Sequence, residues 1–362
     1  RHPAPADFPA VTILKPLHGD EPGLRANLTS FFRQDYPGPL QIIFGVQSRT
    51  DPAIKIVQSL CDQYPAVNAA LVISPRVHGD NAKISNLANM EASITGNIRH
   101  QMIVISDSDI AVAPDYLRAL AAALAPADTG AVTCLYTGWA ATPGIGARLS
   151  AMGISYHFLP NVVTGISLKM AKPCMGSTIA LSSATLSDIG GIAAFADYLA
   201  DDYEIGRAVR DRGLEVAVPG FAVRHGCTEA SFKAYFTHEL RWMRTIAIND
   251  IAGHVGSIVT HPVPLALISY AFFALLGGPF SLNALYLLGA TLGARAMLKW
   301  RIDRCFGATS GPIWLLPLRD ICAFCVFIVS LFGGPVDWQG EKLHVAAGGI
   351  LSKADSPAKN RG

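Results

Sequence analysis

Charge is scarce in this sequence. Only 15 % of its 362 residues are Asp, Glu, Lys or Arg, against roughly a quarter in an ordinary soluble domain. Hydrophobic residues reach 51 %, which excludes intrinsic disorder, a state that needs low hydrophobicity and high charge. The net charge is only +2, so bulk electrostatics makes no case for nucleic acid. The seven cysteines are odd in number and irregularly spaced, which argues against a disulfide-stapled secreted scaffold. Cys322 and Cys325 have redox or metal spacing. They lie in an apolar stretch with no second pair, and small buried residues is the better reading. None of the ten histidines sits in a zinc-type cluster, and there is no Walker-type glycine loop. No internal repeat or low-complexity tract is present. A chain of this length can bury a sizeable core and suggests about two domains.

The charge that exists is unevenly spread. Residues 1–260 hold 20 basic and 22 acidic side chains, while Pro262 to Ala294 holds none. A bilayer core about 30 Å thick needs about 20 apolar residues as helix. Pro262–Pro279 and Ser281–Leu298 are therefore expected as two short spanning helices joined by a tight Gly/Pro turn. A buried helical hairpin is the alternative. Gly311–Pro335 is also apolar but carries Arg319 and Asp320, and a charged pair in mid-membrane is costly. Pro312–Leu318 reads as interfacial or re-entrant, and Ile321–Phe332 as membrane-embedded. A short loop with Arg295, Lys299, Arg301 and Arg304 favours the cytoplasmic side. Two crossings then return the chain to its starting side, which places residues 1–260 in the cytoplasm. The expected organisation is a catalytic domain over 1–260, a membrane region over 261–336 and a polar tail over 337–362, mobile from Ser352.

The first 260 residues read as an α/β domain. Val11–Leu14, Gln41–Val46, Ala69–Ile73, Met102–Ile105 and Ala131–Leu135 are apolar runs of strand length. Helical patterns fill Glu21–Gln34, the stretch from Asp51 with Pro52 in its first turn, Lys83–Thr95 and Pro114–Leu124. Alternation of this kind implies a largely parallel sheet. Ligands then bind outside the carboxyl ends of its strands.

Asp107-Ser108-Asp109 stands at such an end. Two carboxylates one residue apart can hold a hard divalent cation that shares its shell with substrate phosphates. A solvated turn with a helix cap before Pro114 is the equal alternative. Ala200-Asp201-Asp202-Tyr203-Glu204 opens a helix that runs to about Arg212. Asp at a helix start is commonly a cap, and two adjacent carboxylates before a basic helix also suit a general base. In His238-Glu239-Leu240-Arg241-Trp242-Met243-Arg244, residues 238, 241 and 244 share one helical face. That face suits a diphosphate, and equally an amphipathic helix lying on a membrane. Lys83 is a surface lysine or a phosphate ligand, and Asp51 a helix cap or a ligand contact.

The order of these motifs is more specific than any one of them. Asp51, Asp107-Ser108-Asp109, Asp202 and His238-x-x-Arg241-Trp242, followed by apolar segments, resemble glycosyltransferase family 21, which includes the ceramide glucosyltransferases. Leu14-Lys15-Pro16-Leu17, Asp51-Pro52-Ala53-Ile54, Lys83-Ile84-Ser85-Asn86-Leu87 and Ala194-Phe195-Ala196-Asp197-Tyr198 extend the resemblance over roughly 11–250. His238 departs from the pattern, which has Gln or Arg there. Tyr156-His157-Phe158-Leu159-Pro160 and Lys172-Pro173-Cys174-Met175-Gly176-Ser177-Thr178 are similar to a bacterial branch, the hopanoid-biosynthesis glycosyltransferases.

The resemblance implies a GT-A type nucleotide-sugar-binding domain with C-terminal transmembrane or interfacial helices. It also implies an N-terminal anchor helix, which would lie before Arg1. The enzyme would use a UDP-sugar, UDP-N-acetylglucosamine in the hopanoid branch, and Mg²⁺ or Mn²⁺. Its acceptor would be a lipid hydroxyl, on bacteriohopanetetrol in that branch and on ceramide, with UDP-glucose, in the other. Asp51 would contact the uridine. Asp107 and Asp109 would hold donor and metal, Lys83 a phosphate, and Arg241 and Trp242 the diphosphate and sugar. Asp202 would be the general base, with Asp201 and His238 positioning the acceptor, and Met175–Thr178 would line the sugar site. The site would face the cytoplasm at a bacterial inner membrane. A polysaccharide synthase would need more spanning helices, and a non-catalytic lipid-binding protein would not need the three carboxylates.

Overall fold

The apolar runs form strands because β-branched side chains fit a pleated, buried surface. The computed structural model describes residues 8–94, 101–276, 280–307, 309–332, 336–338, 341–345 and 351–353. Its strands include β1 (Val11–Pro16), β2 (Leu40–Val46), β3 (Asn68–Ile73), β4 (Met102–Ile105) and β5 (Ile110–Ala111). They continue with β6 (Thr129–Thr133), β7 (Leu135–Ala140), β8 (Ile179–Ser182), β9 (Glu215–Ala217) and β10 (Ala222–Cys227). The main sheet has the order β3-β2-β1-β4-β8-β6-β9. Every residue of β1 and β4 is buried, as expected of strands covered on both faces. The pairs β3-β2, β2-β1, β1-β4 and β6-β9 are parallel. The exception is β8, which runs antiparallel to both β4 and β6. One expected strand, Ala131–Leu135, is divided: its first part is β6 and Leu135 begins β7.

Helices Leu24–Phe32, Ala53–Gln63, Ala82–Ala92 and Tyr116–Leu124 link these strands. They start within three residues of the expected positions; Thr95 lies outside the described residues. Helix Ala82–Ala92 begins where the Asn81 side chain accepts from the Ile84 N–H at 3.0 Å, an N-cap typically worth about 1 kcal/mol. Its Ile84, Leu87 and Met90 pack in one buried cluster with Leu14, Ile43, Ile103 and Leu181 of the sheet. Each such aliphatic side chain contributes roughly 1.5–3 kcal/mol.

Contacts divide the chain elsewhere than hydropathy does. One unit comprises Arg1–Tyr136, Gly165–Gly226 and Gly349–Gly362; the other comprises Thr137–Thr164 and Cys227–Gly348. The second unit is helical, with Ile145–Gly153, Phe232–Asn249, Ile251–Gly256, Pro262–Leu275, Phe280–Phe306 and Leu316–Ser330 among its elements. A π-helical turn, Ile154–Phe158, follows the first of these. Such turns often mark functional sites.

Two expectations about the apolar region change. Arg295, Lys299, Arg301 and Arg304 are not in a loop, because helix Phe280–Phe306 runs through all four. Arg295 and Lys299 are buried and paired with Asp320 and Asp303, so they do not act as free positive charges. The buried Arg319–Asp320 pair is accommodated in the same way, with Asp320 against Arg295 at 2.7 Å and Arg319 against Glu239 at 3.9 Å. Among the described residues one helix, Ile313–Ser330, is long and apolar enough to cross a membrane, and half of it is buried within the protein. Ile251–Thr260 and Pro262–Leu275 pass only together and are bent by 63°. Residues 277–279 and 333–335, parts of the expected segments, lie outside the described residues, as does the tail beyond strand Leu351–Lys353.

Candidate active site

Asp107 and Asp109 follow directly from β4, whose parallel pairing with β1 aims both chain ends to the same side of the sheet. Helix Ala82–Ala92 brings Lys83 to them. The Lys83 ammonium lies 2.8 Å from Asp107 Oδ1 and 3.2 Å from Asp201 Oδ2. Asp201 and Asp202 occupy the first turn of helix Asp201–Asp211, where the helix dipole favours negative charge. Neither is its N-cap; that position is Ala200, without a side-chain cap. Asp202 Oδ2 instead accepts from the Gly176 N–H at 2.8 Å, and Oδ1 from the Tyr203 N–H at 2.8 Å.

Gly176 is the hub of this arrangement. A Cβ there would stand 3.3 Å from Asp202 Oδ2 and 3.5 Å from both Asp107 Oδ2 and Lys83 Nζ. The missing side chain thus leaves open the space on which the carboxylates and the ammonium converge.

The charges are unequal in consequence. Burial, reinforced by the Asp201 charge, pushes Asp202 up to about 6, against the pull of Lys83 and two backbone N–H groups. Burial also raises Asp107, with Lys83 opposing and Asp109 reinforcing. For Asp109 burial is outweighed by His225, Lys15 and Lys83, which hold it below the usual carboxylate range. Burial would lower Lys83, but Asp107, Asp201 and Asp202 together hold it above its ordinary value.

Three supporting residues had no assigned role in the sequence. His225, on β10, places Nε2 3.1 Å from Asp109 Oδ2. Strand pairing sets it opposite Ile110, and its ring stacks on Tyr136 at 5.6 Å. Lys15, wholly buried in β1, donates to the Asp107 carbonyl and lies 3.4 Å from Ser106 Oγ. Its ammonium sits 4.0 Å over the Phe31 ring, and burial lowers it to about 7. Glu21 accepts from Ser108 Oγ at 2.7 Å, and burial raises its carboxyl. Lys15 belongs to the Leu14-Lys15-Pro16-Leu17 motif, where a lysine among apolar residues is the available signal. Nothing local marked His225 or Glu21, because sheet pairing and loop closure bring them in.

Asp51 serves the backbone. Its two oxygens lie 3.1 Å from the Gly19 N–H, and Oδ1 also accepts from the Ala53 N–H at 2.9 Å. Gly19 has φ +74°, a conformation glycine adopts without strain. Asp51 therefore ties the segment after β1 to the start of helix Ala53–Gln63.

His238, Arg241 and Trp242 lie on helix Phe232–Asn249 of the second unit. His238 Nδ1 is 2.6 Å from Glu229 Oε1, and its ring lies 4.9 Å from that of Trp242. Burial would raise Glu229, but His238 overrules it and holds Glu229 below its usual value. His238 is thereby fixed in orientation, the condition for a residue that positions a ligand. Met175 and Ser177 are anchored beside Gly176: Met175 through Thr133, at 2.8 and 2.9 Å, and Ser177 through the Cys134 carbonyl at 3.3 Å.

The chain is similar to known proteins. The sequence model of glycosyl transferase family 21 matches residues 1–351. Ceramide glucosyltransferase 3 of Caenorhabditis elegans is 26 % identical over 370 residues, covering 96 % of this chain and 75 % of its own length. The ceramide glucosyltransferase of Komagataella phaffii is 39 % identical over 90 residues, 24 % of this chain and 18 % of its own. Among solved structures, the mannosyltransferase PcManGT of Pyrobaculum calidifontis, in complex with GDP-Man and Mn²⁺, is 19 % identical. It superposes with a TM-score of 0.52 and covers 91 % of this chain and 89 % of its own. That likeness is one of fold, the GT-A type.

Proposed function

The chain belongs to glycosyl transferase family 21, and from that premise we propose an inverting transfer of a sugar from a UDP-sugar to a hydroxyl of a membrane lipid. UDP-N-acetylglucosamine and bacteriohopanetetrol are the favoured pair. The observation that carries the reading is the convergence of Asp107, Lys83 and Asp202 on the open space at Gly176. One cation and carboxylates of unequal basicity are what a displacement with an anionic leaving group requires.

In the proposed reaction Asp202 accepts the proton of the acceptor hydroxyl. The freed oxygen attacks the anomeric carbon from the face opposite the leaving UDP. One displacement gives inversion, a β-glycoside from an α-linked donor. Lys83 balances negative charge beside the diphosphate, Asp51 contacts the uridine, and Arg241 and Trp242 position the diphosphate and sugar. His238 and Asp201 orient the acceptor. A base with a value near 6 is mostly ionised at neutral pH and still basic enough to take a proton as the bond forms. Transfer is expected to fall on the acid side with an apparent pKa near 6 as Asp202 protonates. A kcat/KM profile from pH 5 to 8 reads this, and a flat profile removes Asp202 as the base.

The residues present fit a divalent cation. Asp109 Oδ1 is buried and lacks a hydrogen-bond partner among the described residues, while Asp107 Oδ2 faces the space at Gly176. No group of three or more His, Cys, Asp or Glu is gathered for a metal among the described residues. Asp107 and Asp109 would therefore hold Mg²⁺ or Mn²⁺ jointly with donor phosphates, as suits a cation that keeps one or two carboxylates. When bound, the ion neutralises the diphosphate leaving group. Asp109→Ala is expected to weaken metal-dependent donor binding at least about tenfold, a cost of about 1.4 kcal/mol. Calorimetry with and without chelator measures it; equal binding in both conditions takes the metal out of the site.

The decisive experiment offers the full-length protein, in membranes, labelled UDP-N-acetylglucosamine and UDP-glucose, each with bacteriohopanetetrol or ceramide. Label in lipid from UDP-N-acetylglucosamine only with bacteriohopanetetrol supports the favoured pair. Label from UDP-glucose only with ceramide supports the second reading, which the ceramide glucosyltransferase relatives favour. No label with any pair overturns both. The proposed location is a bacterial inner membrane, with the site on the cytoplasmic face.

A further inference from the structure

Helices Pro262–Leu275 and Phe280–Phe306 of the second unit pack along each other. Phe273, near the end of the first, and Phe280, at the start of the second, have ring centroids 5.8 Å apart. From Pro262 to Ala294 the pair carries no Asp, Glu, Lys or Arg, yet the protein covers little of it. Ile268, Phe272, Leu275 and Leu282 are exposed, Leu275 to 88 %. Leu285, Tyr286 and Leu287 are exposed in succession. Consecutive helical residues point about 100° apart, so these three alone face most directions around the axis. A second protein, or a second copy of this chain, covers one side of a helix, and an in-plane amphipathic helix has one apolar face. A helix that is uncharged and apolar all round needs surroundings that are apolar all round.

The polar groups of this stretch agree with such surroundings. Ser269 Oγ donates to the Leu265 carbonyl at 2.9 Å and Thr291 Oγ1 to the Leu287 carbonyl at 2.8 Å, so both hydroxyls are satisfied within their own helices. The exposed polar side chains, Asn283 and Tyr286, carry no charge. Length then sets the depth. Helix Pro262–Leu275 has 14 residues, about 21 Å, and the uncharged part of its neighbour, Phe280–Ala294, is about 22 Å long. A hydrocarbon core is about 30 Å thick. Val263, Pro264 and Ala266 are buried in the protein, which shortens the reach further. Charge returns after Ala294. Arg295 and Lys299 pair inside the protein, whereas Arg301 and Arg304 are exposed. The Arg304 guanidinium lies 5.6 Å from the centroid of the exposed Trp300 ring. Tryptophan and arginine suit the headgroup level. At the other root Ile251–Thr260 meets Pro262–Leu275 with a bend of 63°. It buries His254 and exposes Ile251, Val255 and Val259, as suits a segment lying at the surface beside one that dips.

We propose that Pro262–Ala294 is a re-entrant hairpin. It enters the acyl-chain layer from one side, reaches about the middle of the bilayer and returns, with Trp300, Arg301 and Arg304 at headgroup level. This replaces the two spanning helices expected from hydropathy. The inference rests on the membrane location in the function proposed above and not on the reaction, so it holds for any sugar or acceptor.

The test uses the full-length protein in sealed lipid vesicles, with reporters placed at Phe280, an exposed position where substitution spares the core. Phe280→Trp should add fluorescence that lipids brominated near the end of the acyl chain quench, and that lipids brominated near the headgroup quench less. Wild-type protein, with its five tryptophans, gives the baseline. Phe280→Cys is treated with a membrane-impermeant maleimide, outside the vesicles and then trapped inside, and the labelled cysteines are identified by peptide mass. Cys305, exposed beyond Trp300, should be labelled from one side and position 280 from neither. Labelling at 280 from the side opposite Cys305 shows that the hairpin spans the bilayer and overturns the proposal. Labelling at 280 from the side of Cys305, or no quenching beyond wild type, takes the hairpin out of the hydrocarbon and overturns it as well. Sugar transfer is measured on the same vesicles, so failure of the proposed reaction is read separately from the depth of the hairpin.

Discussion

Asp202→Asn is expected to lower transfer by about 10²–10⁴-fold, the range a positioned general base supplies, while leaving donor affinity within about twofold. Asn has the same shape, so one amide oxygen can still accept from the Gly176 N–H. What disappears is the capacity to hold a proton. The site also loses one negative charge from a cluster in which Asp201 and Asp202 repel each other, so folding is not threatened. Single-turnover kinetics together with calorimetry for the nucleotide separates the two effects. Transfer at the wild-type rate would assign proton removal elsewhere. Loss of nucleotide binding in parallel would make Asp202 a binding residue instead.

Lys83→Met is expected to act on binding first. Lys83 is the cation that holds Asp107 and Asp201 together, and charge-assisted hydrogen bonds contribute roughly 1.5–3 kcal/mol each. Removing one such bond to the donor should weaken its binding by roughly ten- to a hundredfold on that scale. Its effect on stability has a defined sign. In the native protein Asp202 is already raised from 3.8 to about 6. Such a group favours the fold below about pH 4 and loses that contribution as pH rises through about 6. Without the ammonium, which opposes the rise at both, Asp202 and Asp107 are raised further. The variant should therefore be relatively more stable at acid pH, and its deficit against wild type should grow toward pH 8. Urea melts at pH 5 and 8 compare the two. A deficit that is constant with pH would show that Lys83 contributes packing rather than charge.

The contrast between these variants reflects how the site is built. Strands could be read locally, because apolar runs such as Met102–Ile105 are buried on both faces and leave little choice of conformation. The carboxylates could be read as well, since each sits at an element boundary: Asp107 and Asp109 after β4, Asp201 and Asp202 in a first turn. Their partners could not. His225 meets Asp109 through an antiparallel pairing between residues 115 positions apart, His225↔Ile110. The reversal of β8 also had no local signature, for four residues pair equally well in either direction and only the connections decide. The charges of the apolar region, expected in a loop, were misplaced for an electrostatic reason. Arg295, Lys299, Arg319 and Asp320 are costly as isolated charges in a nonpolar surrounding, but here Arg295 pairs with Asp320 across two helices, Lys299 with Asp303, and Arg319 with Asp320 and Glu239. A hydropathy profile counts such charges singly and has no way to register their pairing.

The place of β8 also has a consequence for the protein while it is being made. It fills the slot between β4 and β6, yet it begins 74 residues after β4 ends. The whole excursion Thr137–Thr164 into the second unit is synthesised in between. At about 5–20 residues per second, β4 waits on the ribosome for roughly 4–15 s with one edge unpaired. An open, apolar strand edge is a template for association with other chains. The nascent protein is thus most exposed to aggregation in the interval between emergence of the Asp107–Asp109 loop and arrival of Ile179, and a chaperone that holds that edge would act there.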